Sequence, residues 1–170
     1  MGCPIFESSK EITEIIEILL EERADMFGDL KKYFWAGMAA CGLREDKDAP
    51  KTQKWTLKIE GVTGSKVLLH PDAKYIIWGY KSMWDRCSME KKIAHVANML
   101  IRIEYPTPDL LQKLADKGDD YEWGKTRKPD VQEFRSFITA PGFGVDWADE
   151  ATMVPSLIAD KTIIVSVTHE

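Results

Sequence analysis

Apolar residues recur at helical spacing near the start of the chain. They follow the stretch Ser8-Ser-Lys-Glu11, which matches the capping box that begins many helices. Glutamates separate the apolar positions, which are Ile12, Ile15, Ile16, Leu19 and Leu20. Steps of three and four residues place these side chains on one helix face. We therefore predict an amphipathic helix that runs to about Phe27 and stops at Gly28.

A second amphipathic pattern covers residues 89–104 and contains one histidine, His95, near its middle. Ser88 precedes this pattern and is a good N-cap residue. The apolar stripe that we expect to face the core consists of Met89, Ile93, Val96, Leu100 and Ile103. Two further helices are predicted, one at residues 110–115 behind Asp109 and one at residues 129–138, where a first-turn proline is tolerated.

Alternating apolar and polar side chains predict strands in the middle of the chain. Residues 55–60 and 66–69 are predicted to pair as a hairpin across a glycine-containing turn. Residues 75–80 form a third predicted strand, and the β-branched run 162–168 forms a last one at a sheet edge. Residues 33–41 stay open between two assignments, because their aromatic side chains favour a strand and their alanines favour a helix.

Together the elements predict one α+β domain over residues 1–170. The expected fold has an N-terminal helix, a small antiparallel sheet of three to four strands, packed helices and a C-terminal strand. Within it we distinguish a docking helix at residues 1–29, a core at residues 30–147 and a C-terminal extension at residues 148–170. A length of 170 residues suits a single domain with its own core.

Charge and composition narrow the classes of function. The formal net charge of -5 argues against broad affinity for nucleic acid phosphates or anionic lipids. No apolar run approaches the length of a membrane span, and the N-terminus lacks the features of a signal peptide. The dispersed Cys3, Cys41 and Cys87 show no metal-binding spacing and are typical of reduced thiols. We expect a cytoplasmic protein that neither binds nucleic acid directly nor contacts a membrane.

The order of several segments carries more information than any one of them. The predicted strand at residues 75–80 is followed by Trp84 and then by the helix with His95. Later come the stretches Lys128-Pro-Asp-Val-Gln-Glu-Phe and Gly142-Phe-Gly-Val-Asp-Trp. This order resembles the phage metallopeptidase family over roughly residues 30–147. In that family a strand and a tryptophan precede a His-Glu-x-x-His helix, and a later helix opens with a His-Asp-Val-Glu-Glu-Phe-like motif and ends near a Gly-x-Trp.

The resemblance implies a zinc site, but its chemistry is incomplete here. His95 falls on the first ligand histidine, Val96 on the general-base glutamate and Met99 on the second ligand histidine. Valine cannot take a proton from a zinc-bound water, and a thioether is a poor zinc ligand beside imidazole. We therefore expect no catalytic residue at these positions.

In the later motif, Pro129 replaces the family's histidine, while Asp130 and Glu133 remain. The metal candidates that the resemblance implies are thus His95, Asp130 and Glu133, which we expect to be vestigial. A catalytic zinc ion needs three protein ligands and an open position for water. We expect no cofactor, with zinc as the alternative.

A phage-type scaffold with an incomplete active site implies a pseudoenzyme that works by binding a host protein or protein complex. Such a protein could inhibit a host defence system in the host cytoplasm. The aromatic residues predicted to contact that partner are Trp123, Phe143 and Trp147, with Trp123 expected on an exposed loop. One alternative is an active zinc-dependent hydrolase with non-standard ligands such as His70, His95 and Glu133. Another is an acidic mimic of nucleic acid. The sequence leaves the partner and the oligomeric state open.

Overall fold

The computed structural model describes residues 6–45 and 56–128. In chain order its elements are β1 (Glu7–Ser8), α1 (Lys10–Glu22), a 3-10 turn (Ala24–Met26), α2 (Leu30–Tyr33), β2 (Ala39–Arg44), β3 (Leu57–Gly61), α3 (Lys66–Leu69), β4 (Tyr75–Tyr80), α4 (Lys81–Asp85), α5 (Met89–Leu100) and α6 (Pro108–Lys117). Within the described ranges, no helix has the length and apolar character that a membrane span requires.

The strands form one mixed sheet in the order β1-β2-β4-β3, which confirms the predicted α+β class. β3 pairs antiparallel with β4, with Ile59 opposite Ile77. β2 pairs parallel with β4, with Cys41 opposite Ile77. The sheet is therefore mixed, whereas the prediction was an antiparallel sheet. The cause is the connection: the chain crosses over through β3 and α3 before β4 enters the sheet, and a crossover allows parallel pairing.

The inner strand β4 is buried along its whole length and separates two apolar clusters. Tyr75 and Ile77 lie in the main core with the apolar faces of α1 and α5. Ile76, Trp78 and Tyr80 form a second cluster. Because successive side chains of a strand point to opposite faces, the two clusters lie on opposite sides of the sheet.

Helix α1 carries the predicted buried face but has different ends. All five apolar positions of the predicted stripe are buried. The cap is Ser9, whose hydroxyl accepts a hydrogen bond from the Ile12 amide at 3.3 Å. The helix ends at Glu22 rather than near Phe27, and the tighter 3-10 turn that follows leads to Phe27, which is buried in the core.

The segment that the sequence left open contains both kinds of structure. The chain from residue 30 is helical only as far as Tyr33, and the strand β2 begins at Ala39. Gly37 lies between them with a φ of +86°, a backbone conformation that favours glycine. The aromatic half of the segment therefore does not form the strand that its composition favoured.

The predicted hairpin between residues 55–60 and 66–69 is wrong. Residues 66–69 form the short helix α3, and β3 pairs with β4 instead. The run Val67-Leu-Leu does not alternate apolar and polar side chains, so it lacks the pattern of a half-buried strand. The Lys66 ammonium also pairs with the Glu60 carboxylate at 3.2 Å, which ties the start of α3 to β3.

The later helices agree with the prediction in place and differ in their ends. Helix α5 has the predicted cap, Ser88, but ends at Leu100, four residues early. Helix α6 begins at Pro108 behind Thr107, rather than behind Asp109. The helix α4 occupies a stretch that was predicted to be a link. The helix predicted at residues 129–138 and the strand predicted at residues 162–168 lie outside the described residues.

Candidate functional site

Helix α5 carries the positions at which the resemblance places the metal motif. The Ser88 hydroxyl accepts a hydrogen bond from the Lys91 amide at 3.3 Å, which satisfies a backbone donor in the first turn. The helix packs against α1 and β3, and Ile93 and Leu100 lie in the main core. These contacts fix which side chains of α5 face inward.

Val96 and Met99 are inward-facing residues of this helix. Val96 has no exposed surface, Met99 is 5% exposed, and both belong to the main apolar core. Neither side chain can act as a general base, and the thioether of Met99 is the poorer zinc donor beside imidazole. Both positions therefore contribute to packing.

His95 lies half-buried on the flank of the same helix. Burial lowers the pKa of its imidazole below the ordinary value of 6.5, and the positive charge of Lys91, one turn earlier, lowers this pKa further. The neutral imidazole that results is the form that can bind a metal. The Lys91 ammonium, however, disfavours a metal cation beside His95 for the same reason that it disfavours a proton.

The described residues do not fit a catalytic zinc site. Within residues 6–45 and 56–128, no three His, Cys, Asp or Glu side chains converge in a way that could hold a metal ion. His70, the alternative ligand, stacks on Phe6 with 5.2 Å between ring centroids. Phe6 packs on the second cluster, across the sheet from α5, so His70 and His95 are not brought together.

The described residues contain two thiols, those of Cys41 and Cys87. Burial raises the pKa of the Cys41 thiol to about 12, which keeps it protonated and unreactive at neutral pH. Cys87 donates a hydrogen bond to the Met83 carbonyl at 3.2 Å. The other predicted metal candidates, Asp130 and Glu133, lie outside the described residues, so their grouping with His95 stays a prediction.

Five aromatic side chains form a continuous set around Trp123. We call this set the aromatic cluster; its members are Tyr33, Trp35, Tyr105, Tyr121 and Trp123. Trp123 lies 5.9 Å from Trp35 and 4.8 Å from Tyr121, edge-on to each. It is half-buried against the core rather than exposed as predicted, whereas Trp35 is 38% exposed. The predicted contact residues Phe143 and Trp147 lie outside the described residues.

A cavity of about 300 Å³ adjoins the exposed member of this cluster, Trp35. It lies between α1 and residues 34–41, and apolar side chains including Ile16, Leu20 and Phe34 line it. Glu21 and Lys31 also line the cavity, and their side chains form an ion pair at 2.9 Å. The surface around Trp35 is thus concave and largely apolar.

Sequence reasoning missed a polar network that ties α1 to α4 and α5. The Glu11 carboxylate accepts a hydrogen bond from the Trp84 indole at 2.8 Å and pairs with the Lys92 ammonium at 2.9 Å. The predicted capping box instead assigned the Glu11 carboxylate to a backbone amide at the start of α1. No local pattern could have revealed this network, because its partners are far apart in the sequence.

The exposed side of α3 was also missed. Val67, Leu68 and Leu69 are 45%, 85% and 56% exposed. A run of three apolar residues without alternation was the available signal, since it fits neither a half-buried strand nor a solvated loop.

The chain matches a known protein family over most of its length. The family described as putative phage metallopeptidase matches residues 5–155, which confirms the resemblance drawn from the sequence and extends it to include α1. No curated protein and no solved structure matches the chain.

Proposed function

The chain belongs to the putative phage metallopeptidase family, and from this premise we propose that it is a catalytically degenerate member that acts by binding a host protein. The partner that we propose is a component of a host defence system, bound in the host cytoplasm. Binding would block that component, and no peptide bond would be cleaved. The association of the family with phages supports this choice of partner.

The placement of Val96 and Met99 in the core carries the proposal. The resemblance assigns Val96 to the position of the family's general base and Met99 to that of its second zinc ligand, and both side chains are packed against apolar neighbours. A metallopeptidase needs a base beside the metal to activate water. With both groups replaced by core side chains, α5 serves the stability of the fold.

Exposed apolar surface supports a binding role. Trp35 is 38% exposed beside an apolar cavity, and α3 presents three exposed apolar side chains in a row. Exposed apolar patches on soluble proteins commonly mark contact sites, and tryptophan is enriched at the centres of protein interfaces. Together with Trp123, which touches Trp35, these residues offer anchors for a partner.

Metal content and peptidase activity of the purified protein test the proposal together. We expect far less than one zinc per chain and no cleavage of a fluorogenic casein substrate in the presence of added zinc. Stoichiometric zinc that is lost in His95→Ala but kept in His70→Ala, together with hydrolysis lost in the same variant, would establish the zinc hydrolase instead.

The binding half of the proposal needs a defined complex. We expect the tagged protein to capture a host protein that then forms a stoichiometric complex when both are purified separately and mixed. Because the proposal involves no metal, the complex should survive EDTA. A complex that dissociates in EDTA and reforms with zinc would contradict it.

A further inference from the structure

Helix α6 is amphipathic but buries none of its side chains. Leu110 is 39% exposed, and Leu111 and Leu114 are only half-buried. The helix is nevertheless well terminated: the Thr107 hydroxyl accepts from the Leu110 amide at 3.3 Å, and Gly118 ends it with a φ of +74°. An apolar helix stripe is ordinarily covered by other parts of a protein or by a partner. Within the described residues, α6 thus leaves an apolar stripe accessible.

The stripe forms one side of a groove of about 400 Å³ between α6 and residues 119–125. Leu110, Leu114 and Tyr121 supply its apolar and aromatic lining. Its polar lining comes from Asp119, Asp120, Glu122 and Lys125. We call this feature the acidic groove, because its lining residues carry three carboxylates and one ammonium group.

The carboxylates of the acidic groove are available to a ligand. Within residues 6–45 and 56–128, no Lys, Arg or His side chain forms an ion pair with Asp119, Asp120 or Glu122. Solvent-exposed carboxylates around an apolar surface attract cationic groups and disfavour anionic ones. The groove therefore matches a ligand that combines positive charge with apolar side chains.

The groove also adjoins the aromatic cluster. Tyr121 lines the groove and lies edge-on to Trp123, with 4.8 Å between ring centroids. The Tyr121 hydroxyl donates to the Glu104 carbonyl at 3.3 Å, which holds this ring in place. The neutral Tyr121 ring therefore connects the acidic groove to the aromatic cluster, and a segment bound in the groove can extend over it towards Trp123.

From this geometry we propose that the acidic groove docks a basic, apolar segment of a partner protein, in which lysine or arginine residues lie between leucine-like residues at helical spacing. Apolar side chains of the segment lie against Leu110 and Leu114, and its cations face Asp119, Asp120 and Glu122. The inference rests on the proposed binding function and names the chemistry of the surface that the partner presents.

Direct peptide binding tests the inference without the natural partner. The probe is a fluorescent synthetic peptide with leucines at helical spacing and lysines between them. Two matched peptides carry glutamate in place of lysine, or serine in place of leucine. We expect saturable binding of the first peptide only, weakened by added salt, with amide shift changes in NMR spectra confined to residues 110–125.

Variants of the full-length protein locate the site. The double variant Asp119→Lys/Asp120→Lys and the single variant Leu110→Ser should each weaken binding by about tenfold or more. Asp72→Lys/Asp85→Lys makes the same charge change at exposed positions on other parts of the described structure and should bind as the unaltered protein does. Because every substituted side chain in the three variants is exposed, all three should keep the melting temperature of the parent.

Several outcomes would overturn the inference. Absence of saturable binding, equal binding of the glutamate peptide, or equal binding by the groove variants and the control would each do so. NMR shift changes at Leu110 and Leu114 that appear on concentration without peptide would assign the groove to a second copy of this chain. A zinc-dependent peptidase activity would refute the proposed function while leaving peptide docking intact, so the two failures are distinguishable.

Discussion

Removal of the Glu11 carboxylate should destabilise the fold more than removal of any exposed glutamate on the same helix. This carboxylate accepts from the Trp84 indole at 2.8 Å and pairs with the Lys92 ammonium at 2.9 Å. Trp84 is fully buried, and the side chains of Lys92 and Glu11 are only 13% and 16% exposed. Glu11→Ala leaves a buried indole donor without its acceptor and an ammonium group without its counter-charge.

The size of the effect follows from these two losses. An unsatisfied buried donor costs about 1–3 kcal/mol. Breaking a fully buried ion pair costs about 3–5 kcal/mol, but Lys92 keeps some exposure and also lies 5.3 Å from the centre of the Trp84 ring. The two losses overlap, so we expect Glu11→Ala to lower the free energy of unfolding by about 3 kcal/mol. For a chain of this size that corresponds to a fall in melting temperature of about 6–12 °C.

Urea denaturation followed by far-UV circular dichroism measures this change. Glu17→Ala, an exposed position on the same helix, is the matched control and should cost less than about 0.5 kcal/mol. Combining Glu11→Ala with Lys92→Met should cost less than the two single changes added together, by about 1 kcal/mol. A cost for Glu11→Ala equal to that of the control, or strict additivity in the double variant, would refute the network as a stabilising unit.

Two further predictions concern pH and close packing. Since burial holds the pKa of His95 below its unfolded value near 6.5, protonation favours the unfolded chain, so stability falls as pH drops through 6.5 towards the lower folded pKa. His95→Gln should reduce the loss of stability between about pH 7.5 and pH 5. Lys91→Met should raise the pKa of His95 in an NMR titration. An unchanged dependence of stability on pH, or an unchanged His95 pKa, would contradict this reasoning. Gly61→Ala would place a methyl group against the Gly124 carbonyl oxygen and should lower the free energy of unfolding by about 1–3 kcal/mol. Urea denaturation measures this loss, and Thr63→Ala at an exposed position is the control, for which we expect little change. Equal stability of the two variants would show that the backbone adjusts.

Periodicity in the sequence was sufficient to predict the two main helices and their buried faces. Each of Ile93, Val96 and Leu100 is buried, because a long repeat of three and four residues specifies one helix face. The ends were less accurate, since a helix stops where tertiary packing turns the chain. The pairing of β3 with β4 was missed because turn residues nearby suggested a local partner. Strand pairing depends on which edges are free in the folded sheet, and that information is not local.

The candidate site was predictable only in part. The resemblance to the family identified Val96 and Met99 as departures from a zinc motif, and helical spacing placed Val96 in the stripe that faces the core. The burial of Met99 was not predicted. Sequence could not predict that Trp123 would pack against Tyr33 and Trp35, because these contacts join distant segments. The groove beside α6 was missed for the same reason, although a helix was predicted at residues 110–115.

The burial of Val96 and Met99 also limits the evolutionary future of this chain. Val96→Glu would place an ionisable group among apolar side chains, where it stays protonated or destabilises the fold. Met99→His would exchange a flexible apolar side chain of the core for a polar ring. Each single change towards the family motif would therefore pass through a less stable protein before any bound zinc could compensate.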